Sequence, residues 1–165
     1  AAAPLFGMEP HADVQKLNRS AGVYETKGSY RMLPGAPAVQ IRGTENFTPI
    51  YGGMVFRGET VGEAEGMPGR YEGEVFWGHD PQRGNLVGAY LSNMGELMLM
   101  NGFWSGDGTL ISTYAGPMMG TPTVQRMLLE FTADGAAKSS TAHTTAGTRE
   151  PFESFRATYT KRERK

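Results

Sequence analysis

The chain has 165 residues, with 16 lysines and arginines against 17 aspartates and glutamates, and a formal net charge of −1 at pH 7. This length suits one domain with its own core, and the balanced charge gives no reason to expect nucleic acid or an anionic membrane as a partner. The absence of cysteine excludes disulfides, thiolate metal sites and cysteine nucleophiles. No apolar run approaches the roughly 20 residues that span a bilayer, so we expect a soluble chain without a membrane span.

We expect residues 1–165 to form a single domain. Segment 1–21 carries a short helix, in which Val14 and Leu17 share one face and Pro10 lies in the first turn. The start Ala1–Pro4 fits either removal of an initiator Met or cleavage of a signal, so a cytoplasmic and an exported mature form both stay open. The basic tail 161–165 is typical of a solvated chain end.

Ten segments of alternating or β-rich sequence follow, each closed by Gly, Pro, Asn or Asp turns. They are Val23–Tyr30, Val39–Phe47, Met54–Ala64, Arg70–His79, Leu86–Ser92, Glu96–Trp104, Thr109–Ala115, Thr123–Phe131, Lys138–Thr145 and Phe152–Thr160. An even number of meandering strands lets the last strand pair with the first, which removes open edges. The pattern therefore predicts an all-β fold, a closed up-and-down antiparallel β-barrel of about ten strands with a short N-terminal helix over one mouth. Glycines inside the strands, at positions 58, 62, 73, 78 and 88, favour strong curvature.

Several phrases occur in a familiar order: Gly52–Phe56, Tyr71–Gly73, Trp77–Asp80, Tyr90–Met94 and Gly102–Trp104. Together they resemble an uncharacterised bacterial family, a domain of unknown function grouped with the calycin-like barrels, over nearly the whole chain. The resemblance implies a barrel similar to lipocalins and fatty-acid-binding proteins, and it implies no established activity. His79 stands where the family pattern has a tyrosine.

Aromatic and methionine side chains recur in the central strands. Because residues two apart share a face, these side chains suit either an adaptable apolar pocket or a filled barrel interior. The candidates for binding a small hydrophobic molecule are Trp77, Tyr90, Met98, Met100, Trp104, Tyr114 and Met127.

Arg126 shares its predicted face with Val124 and Leu128, which points the guanidinium toward an apolar side. A buried arginine needs an anionic partner. We therefore expect Arg126 either to fix the carboxylate of a ligand or to form an internal ion pair with Glu59 or Glu45.

The three histidines, His11, His79 and His143, are far apart and have no metal-ligand spacing, so we expect no metal site and no cofactor. His79 adjoins a turn and is interpreted as a rim residue. His143 is either a polar surface residue or an inward haem ligand, since haem occurs in one calycin-like barrel type, the nitrobindins.

The favoured function is noncatalytic binding of a small hydrophobic molecule in the barrel, and whether that molecule carries a carboxylate is left open. A second hypothesis is a small lyase or isomerase, with Tyr90 or His143 as acid or base and Arg126 holding a carboxylate. No nucleophile elbow or phosphate-binding loop supports an enzyme. A purely structural barrel is the third hypothesis, and a homodimer is left open.

Overall fold

The computed structural model describes residues 8–106, 108–118, 120–147 and 149–163. The start Ala1–Pro4 and the last two residues of the basic tail lie outside the described residues. Helix α1 (Ala12–Asn18) precedes ten strands. They are β1 (Gly22–Tyr30), β2 (Val39–Ile50), β3 (Val55–Ala64), β4 (Tyr71–Asp80), β5 (Asn85–Ser92), β6 (Leu97–Ser105), β7 (Thr109–Met118), β8 (Thr121–Phe131), β9 (Ala137–Ala146) and β10 (Phe152–Lys161), with a 3-10 turn at Tyr51–Gly53 between β2 and β3.

The strands form a closed antiparallel barrel in which each strand pairs with its neighbours in the sequence and β1 pairs with β10. The closing pairs include Tyr24 with Lys161 and Gly28 with Ala157. The prediction of an all-β, ten-stranded closed barrel with one short N-terminal helix is confirmed. No described helix has both the length and the apolar composition needed to cross a bilayer.

Helix α1 closes one end of the barrel, which we call the helix end. Val14 and Leu17 are buried there, as their shared face predicted. The indole nitrogen of Trp104 on β6 donates to the backbone oxygen of Asp13 at 3.1 Å, which holds the helix against the strands. Pro10 lies before the N-cap His11 and is not in the first turn, because the imidazole of His11 accepts from the amide of Asp13 and starts the helix there.

The hydrophobic core fills the helix end. Its buried members are Val14, Leu17, Tyr24, Phe47, Phe56, Trp77, Leu86, Leu110 and Ala137. Trp77 lies over Gly88 and Gly102, where an added Cβ would come within 2.7 and 2.8 Å of the indole ring. These glycines are required by close side-chain packing, in addition to the curvature expected from strand glycines.

The opposite end, which we call the far end, contains the turns that follow β1, β3, β5, β7 and β9. Two strands, β2 at the helix end and β7 at the far end, extend three residues further than their patterns predicted. β2 continues through Pro49, which pairs with Phe56, and β7 continues through Pro117, which pairs with Pro122. Proline normally ends a strand because it lacks an amide donor, but here the partner strands extend opposite both prolines.

Candidate functional site in the barrel interior

The aromatic and methionine candidates from the sequence all lie on the inward face of the barrel, as their cross-strand pairs show. Trp77 pairs with Phe56 and Gly88, and Met100 pairs with Gly88 and Tyr114. Of these candidates, Trp77, Met100 and Trp104 belong to or pack against the core beneath α1. Tyr90, Met98, Tyr114 and Met127 line the interior further toward the far end. The structure thus brings the predicted set onto one surface, and its role in ligand binding stays a prediction.

Arg126 lies on the outer surface, so the expectation of an inward guanidinium is wrong. It is exposed and pairs across the sheet with Thr113 and His143, while Val124 on the same face is 55% exposed. The alternation in β8 places Thr123, Gln125 and Met127 inside. An Arg126 ion pair with Glu45, an inward residue, is excluded by this register, and Glu59 pairs instead with Arg57 at 2.9 Å.

His143 is also exposed on the outer face, opposite Arg126. An outward imidazole cannot ligate a haem inside the barrel, so the inward alternative for His143 is wrong and the surface alternative is correct. The acid–base set of His143 with Arg126 therefore does not meet in the interior. Tyr90, the other candidate of that set, does face inward.

Glu45 is the acidic residue that the register of β2 places inside the barrel, level with Tyr24 on β1 and Thr60 on β3. Its carboxylate accepts a hydrogen bond from the hydroxyl of Thr60 at 2.7 Å. Burial raises the pKa of Glu45 from 4.5 to about 7, and the bond from Thr60 opposes this shift only in part. A carboxyl group with this pKa can hold or release a proton near neutral pH.

Tyrosine and serine hydroxyls continue the polar surface from Glu45 along β4 and β5. The hydroxyls of Tyr71 and Tyr90 approach the backbone of Gly73, where an added Cβ would lie 3.2 and 2.8 Å from them. Ser92 donates to the carboxylate of Glu96 at 2.7 Å. Burial and the neighbouring Glu96 both raise the pKa of Tyr71, which therefore stays a neutral hydroxyl donor.

Tyr159 on β10 lies on the other side of Glu45. Its hydroxyl hydrogen-bonds the hydroxyl of Ser140 at 2.8 Å. Burial and the charge of Glu45 raise the pKa of Tyr159, so it too remains protonated. The buried hydroxyl of Thr26, whose residue pairs with Tyr159, has no hydrogen-bond partner among the described residues. An unsatisfied buried hydroxyl favours contact with a bound molecule or water.

A second set of polar side chains, on β8, β9 and β10, faces the polar surface around Glu45. The amide of Gln125 donates to Thr144 at 3.2 Å, and the hydroxyls of Thr144 and Ser154 lie 2.6 Å apart. These residues are satisfied by one another. We call the interior between Glu45 and this group the polar chamber, and define it by Glu45, Thr60, Tyr71, Tyr159 and Gln125.

The side chains of the polar chamber are not sealed from solvent. Glu45, Thr60, Tyr71, Tyr159 and Gln125 all keep partial exposure, although their register directs them into the barrel. The carboxyl of Glu45 and the hydroxyl of Tyr159 are nevertheless surrounded by protein strongly enough to raise their pKa values. The residues of the polar chamber are therefore partly open to solvent, whereas Val14 and Leu17 at the helix end are almost completely buried.

The outer surface holds depressions of a different kind. One, of about 390 Å³, crosses β1, β2 and β3 and is lined by Glu25, Arg42, Glu63 and Arg162 among others. Arg42 lies 3.0 Å from Glu63, and Arg162 lies 3.3 Å from Glu25. Since these charges are paired and solvated, the polar chamber is the better candidate for a functional site.

Glu45 was the main residue that sequence reasoning undervalued, because it was considered only as a partner for Arg126. The alternation of Val39–Phe47 already placed Ile41, Glu45 and Phe47 on one face. An acidic residue on an otherwise apolar face indicates a buried carboxylate, and this could be inferred from the sequence alone.

Comparison with known proteins gives a family and no activity. The family model described as "Protein of unknown function (DUF1579)" matches residues 9–161, which span α1 and all ten strands. No curated protein matches the chain.

Proposed function

Because the chain belongs to the DUF1579 family, whose description assigns no activity, we propose a function from the barrel itself: reversible binding of a small, largely apolar molecule whose hydrogen-bond donor faces Glu45. The observation that carries this proposal is the position of Glu45, a partly exposed residue whose carboxyl lies inside the barrel and has its pKa raised by burial. A carboxyl group has two oxygens that accept several hydrogen bonds. Among the described residues, Thr60 is the donor that Glu45 has.

The remaining walls fit the apolar part of such a molecule. Met98 and Tyr114 are buried on the inward face, and Tyr90 and Met127 lie beside them in the register. Methionine and aromatic side chains adapt to ligands of varied shape. The hydroxyls of Tyr71 and Tyr159 supply further donors and acceptors that would orient a polar group.

The polar group is an amine, hydroxyl or amide, and not the carboxylate that the sequence left open as one alternative. The expected anchor for a carboxylate, Arg126, faces outward, as do Arg42 and Arg57 by register and exposure. Lys161 lies exposed near the Tyr24 ring, and the pKa of Glu45 is shifted by burial and by Thr60 rather than by the charge of Lys161. A ligand carboxylate beside Glu45 would meet a like charge, which is unfavourable in a poorly solvated space.

Displacement of Nile red, a neutral fluorescent probe, by octylamine, octanol and octanoate tests the proposal. At pH 8 we expect octylamine to displace the probe best, since its ammonium forms a charge-assisted bond with Glu45 worth roughly 1.5–3 kcal/mol, or about tenfold or more in affinity. Glu45→Gln should remove the preference for octylamine over octanol. Glu63→Gln, on the outer face of the same hairpin, is the matched control. Stronger displacement by octanoate, or no displacement by any of the three, would refute the proposal.

A proton-transfer activity on the bound molecule is a second candidate, favoured by the pKa of Glu45 near 7. Native mass spectrometry of protein purified from its own organism would identify a retained molecule. Recovery of that molecule unchanged after prolonged incubation supports binding alone. Conversion that is lost in Glu45→Gln supports the enzyme.

The homodimer stays a prediction. The surface that would carry it is the outer face of β5 and β6, where Leu91 pairs with Leu97 and both are exposed, and Leu99 is 70% exposed. Contiguous exposed leucines are typical of a contact surface.

A further inference from the structure

The fold brings together two histidines that the sequence separates. His11 caps α1, and His79 lies near the end of β4. Their rings stack with centroids 3.4 Å apart and planes 10° from parallel. Asp13, in the first turn of α1, completes a cluster in which a nitrogen of each histidine and a carboxylate oxygen all lie within 4.8 Å of one another.

We propose that His11, Asp13 and His79 form a binding site for a divalent transition-metal ion, with Zn²⁺ as the preferred occupant. This site lies at the rim of the helix end and is independent of the polar chamber. Two imidazoles and one carboxylate are a donor set that suits zinc, with water in the fourth position of an open tetrahedral site. The same donors disfavour Mg²⁺ and Ca²⁺, which prefer oxygen ligands.

The separation between the ligand atoms of His11 and Asp13 is close to the one that a metal ion imposes. With metal–ligand bonds of about 2.0–2.1 Å, tetrahedral ligand atoms lie roughly 3.3–3.5 Å apart. The Nδ1 atom of His11 is 3.7 Å from the carboxylate oxygen Oδ2 of Asp13. A shift of a few tenths of an ångström therefore brings this pair to coordination distance.

Coordination requires the two rings to tilt out of the parallel stack, because the lone pair of an imidazole nitrogen lies in the ring plane. The His11 side chain is 47% exposed and has room for this rotation. Nδ1 of His11 now accepts from the amide of Asp13 at 3.2 Å. A bound ion would occupy this lone pair, and the exposed amide of Asp13 would then donate to water instead.

The backbone that carries the ligands is held from the other side. The carbonyl of Asp13 accepts from the indole of Trp104, and Val14 and Leu17 are buried below it. A metal ion bound here would join α1 directly to β4. The three ligand side chains are brought together only in the folded chain. A bound ion would therefore raise the stability of the folded state relative to the unfolded state.

Zinc titration in competition with a chromophoric chelator tests the site. We expect one Zn²⁺ per chain, no binding of Mg²⁺, and a Zn²⁺-dependent rise in melting temperature. Loss of an outer-shell partner typically costs about 10–100-fold in metal affinity, so His11→Ser, His79→Gln and Asp13→Asn should each weaken binding at least as much. Serine is itself a good N-cap, so His11→Ser removes the ligand and retains the start of the helix.

His143→Gln is the matched control, because it removes an exposed histidine from the outer face of β9. It should leave both zinc affinity and the zinc-dependent melting shift unchanged. The proposal is overturned if the wild-type chain shows no saturable binding of one Zn²⁺. It is equally overturned if His11→Ser and His79→Gln bind zinc as the wild type does, or if His143→Gln removes the binding.

Discussion

Replacing Glu45 by glutamine should stabilise the protein at alkaline pH. The wild-type carboxyl lies inside the barrel, where burial raises its pKa from 4.5 to about 7. Above that pH the folded chain must carry a poorly solvated negative charge. The glutamine side chain of the variant would stay neutral, and its oxygen can still accept the hydrogen bond that Thr60 gives to Glu45 at 2.7 Å.

The size and sign of the effect follow from proton linkage. Between pH 4.5 and about 7 the folded chain keeps a proton on Glu45 that the unfolded chain has released. The free energy of unfolding of the wild type therefore falls as the pH rises through this window, relative to a variant without the carboxyl. At about 1.4 kcal/mol per pKa unit, the difference reaches up to about 3 kcal/mol at pH 8 and falls below about 1 kcal/mol at pH 5.

Urea unfolding from pH 5 to pH 8, followed by the fluorescence of the two tryptophans, measures this difference. Trp77 is buried and Trp104 packs against the core, so both should report the transition. Glu63→Gln, whose carboxylate is exposed beside Arg42, should change the unfolding free energy by less than about 1 kcal/mol. A wild type that gains stability relative to Glu45→Gln between pH 5 and pH 8 would contradict the reasoning.

Two further predictions test the helix end. Gly102→Ala should lower the free energy of unfolding by roughly 1–3 kcal/mol in chemical denaturation, because its Cβ would come within 2.8 Å of Trp77. Gly78→Ala is the control and should be tolerated, because its Cβ would meet nothing closer than 4.0 Å. Equal effects of the two substitutions would count against close packing as the reason for Gly102. Trp104→Phe removes the donor to the carbonyl of Asp13 and should cost about 1 kcal/mol, with faster amide exchange in α1. Unchanged exchange in α1 would show that the indole does not hold the helix.

The fold was accessible from the sequence because it depends on local signals that repeat. Turn residues and alternating strands recur from β1 to β10, and their even number predicts closure without any knowledge of contacts. The extension of β7 through Pro117 was missed, because pairing with Pro122 depends on the partner strand. The sequence around Pro117 favours a turn, but pairing with an aligned neighbouring strand outweighs that local preference.

The candidate site was accessible only in part. The inward set around Trp77 and Tyr90 followed from strand alternation, but the face of Arg126 was assigned with the wrong parity. In an up-and-down barrel one such error moves a side chain from the interior to solvent. The approach of His11 to His79 could not be predicted, because it depends on where α1 packs against β4 and leaves no signal in sequence spacing.

The pairing of β1 with β10 has a consequence during synthesis of the chain. These strands lie at opposite ends of the sequence, yet Arg162 donates its backbone amide to the carbonyl of Val23 at 2.8 Å. The barrel therefore cannot close on the ribosome until β10 has emerged. Until then β1 and β9 each present a row of unpaired backbone groups, which can pair with other nascent chains. A chain truncated before β10 should accumulate as aggregates, whatever the quality of its hydrophobic core.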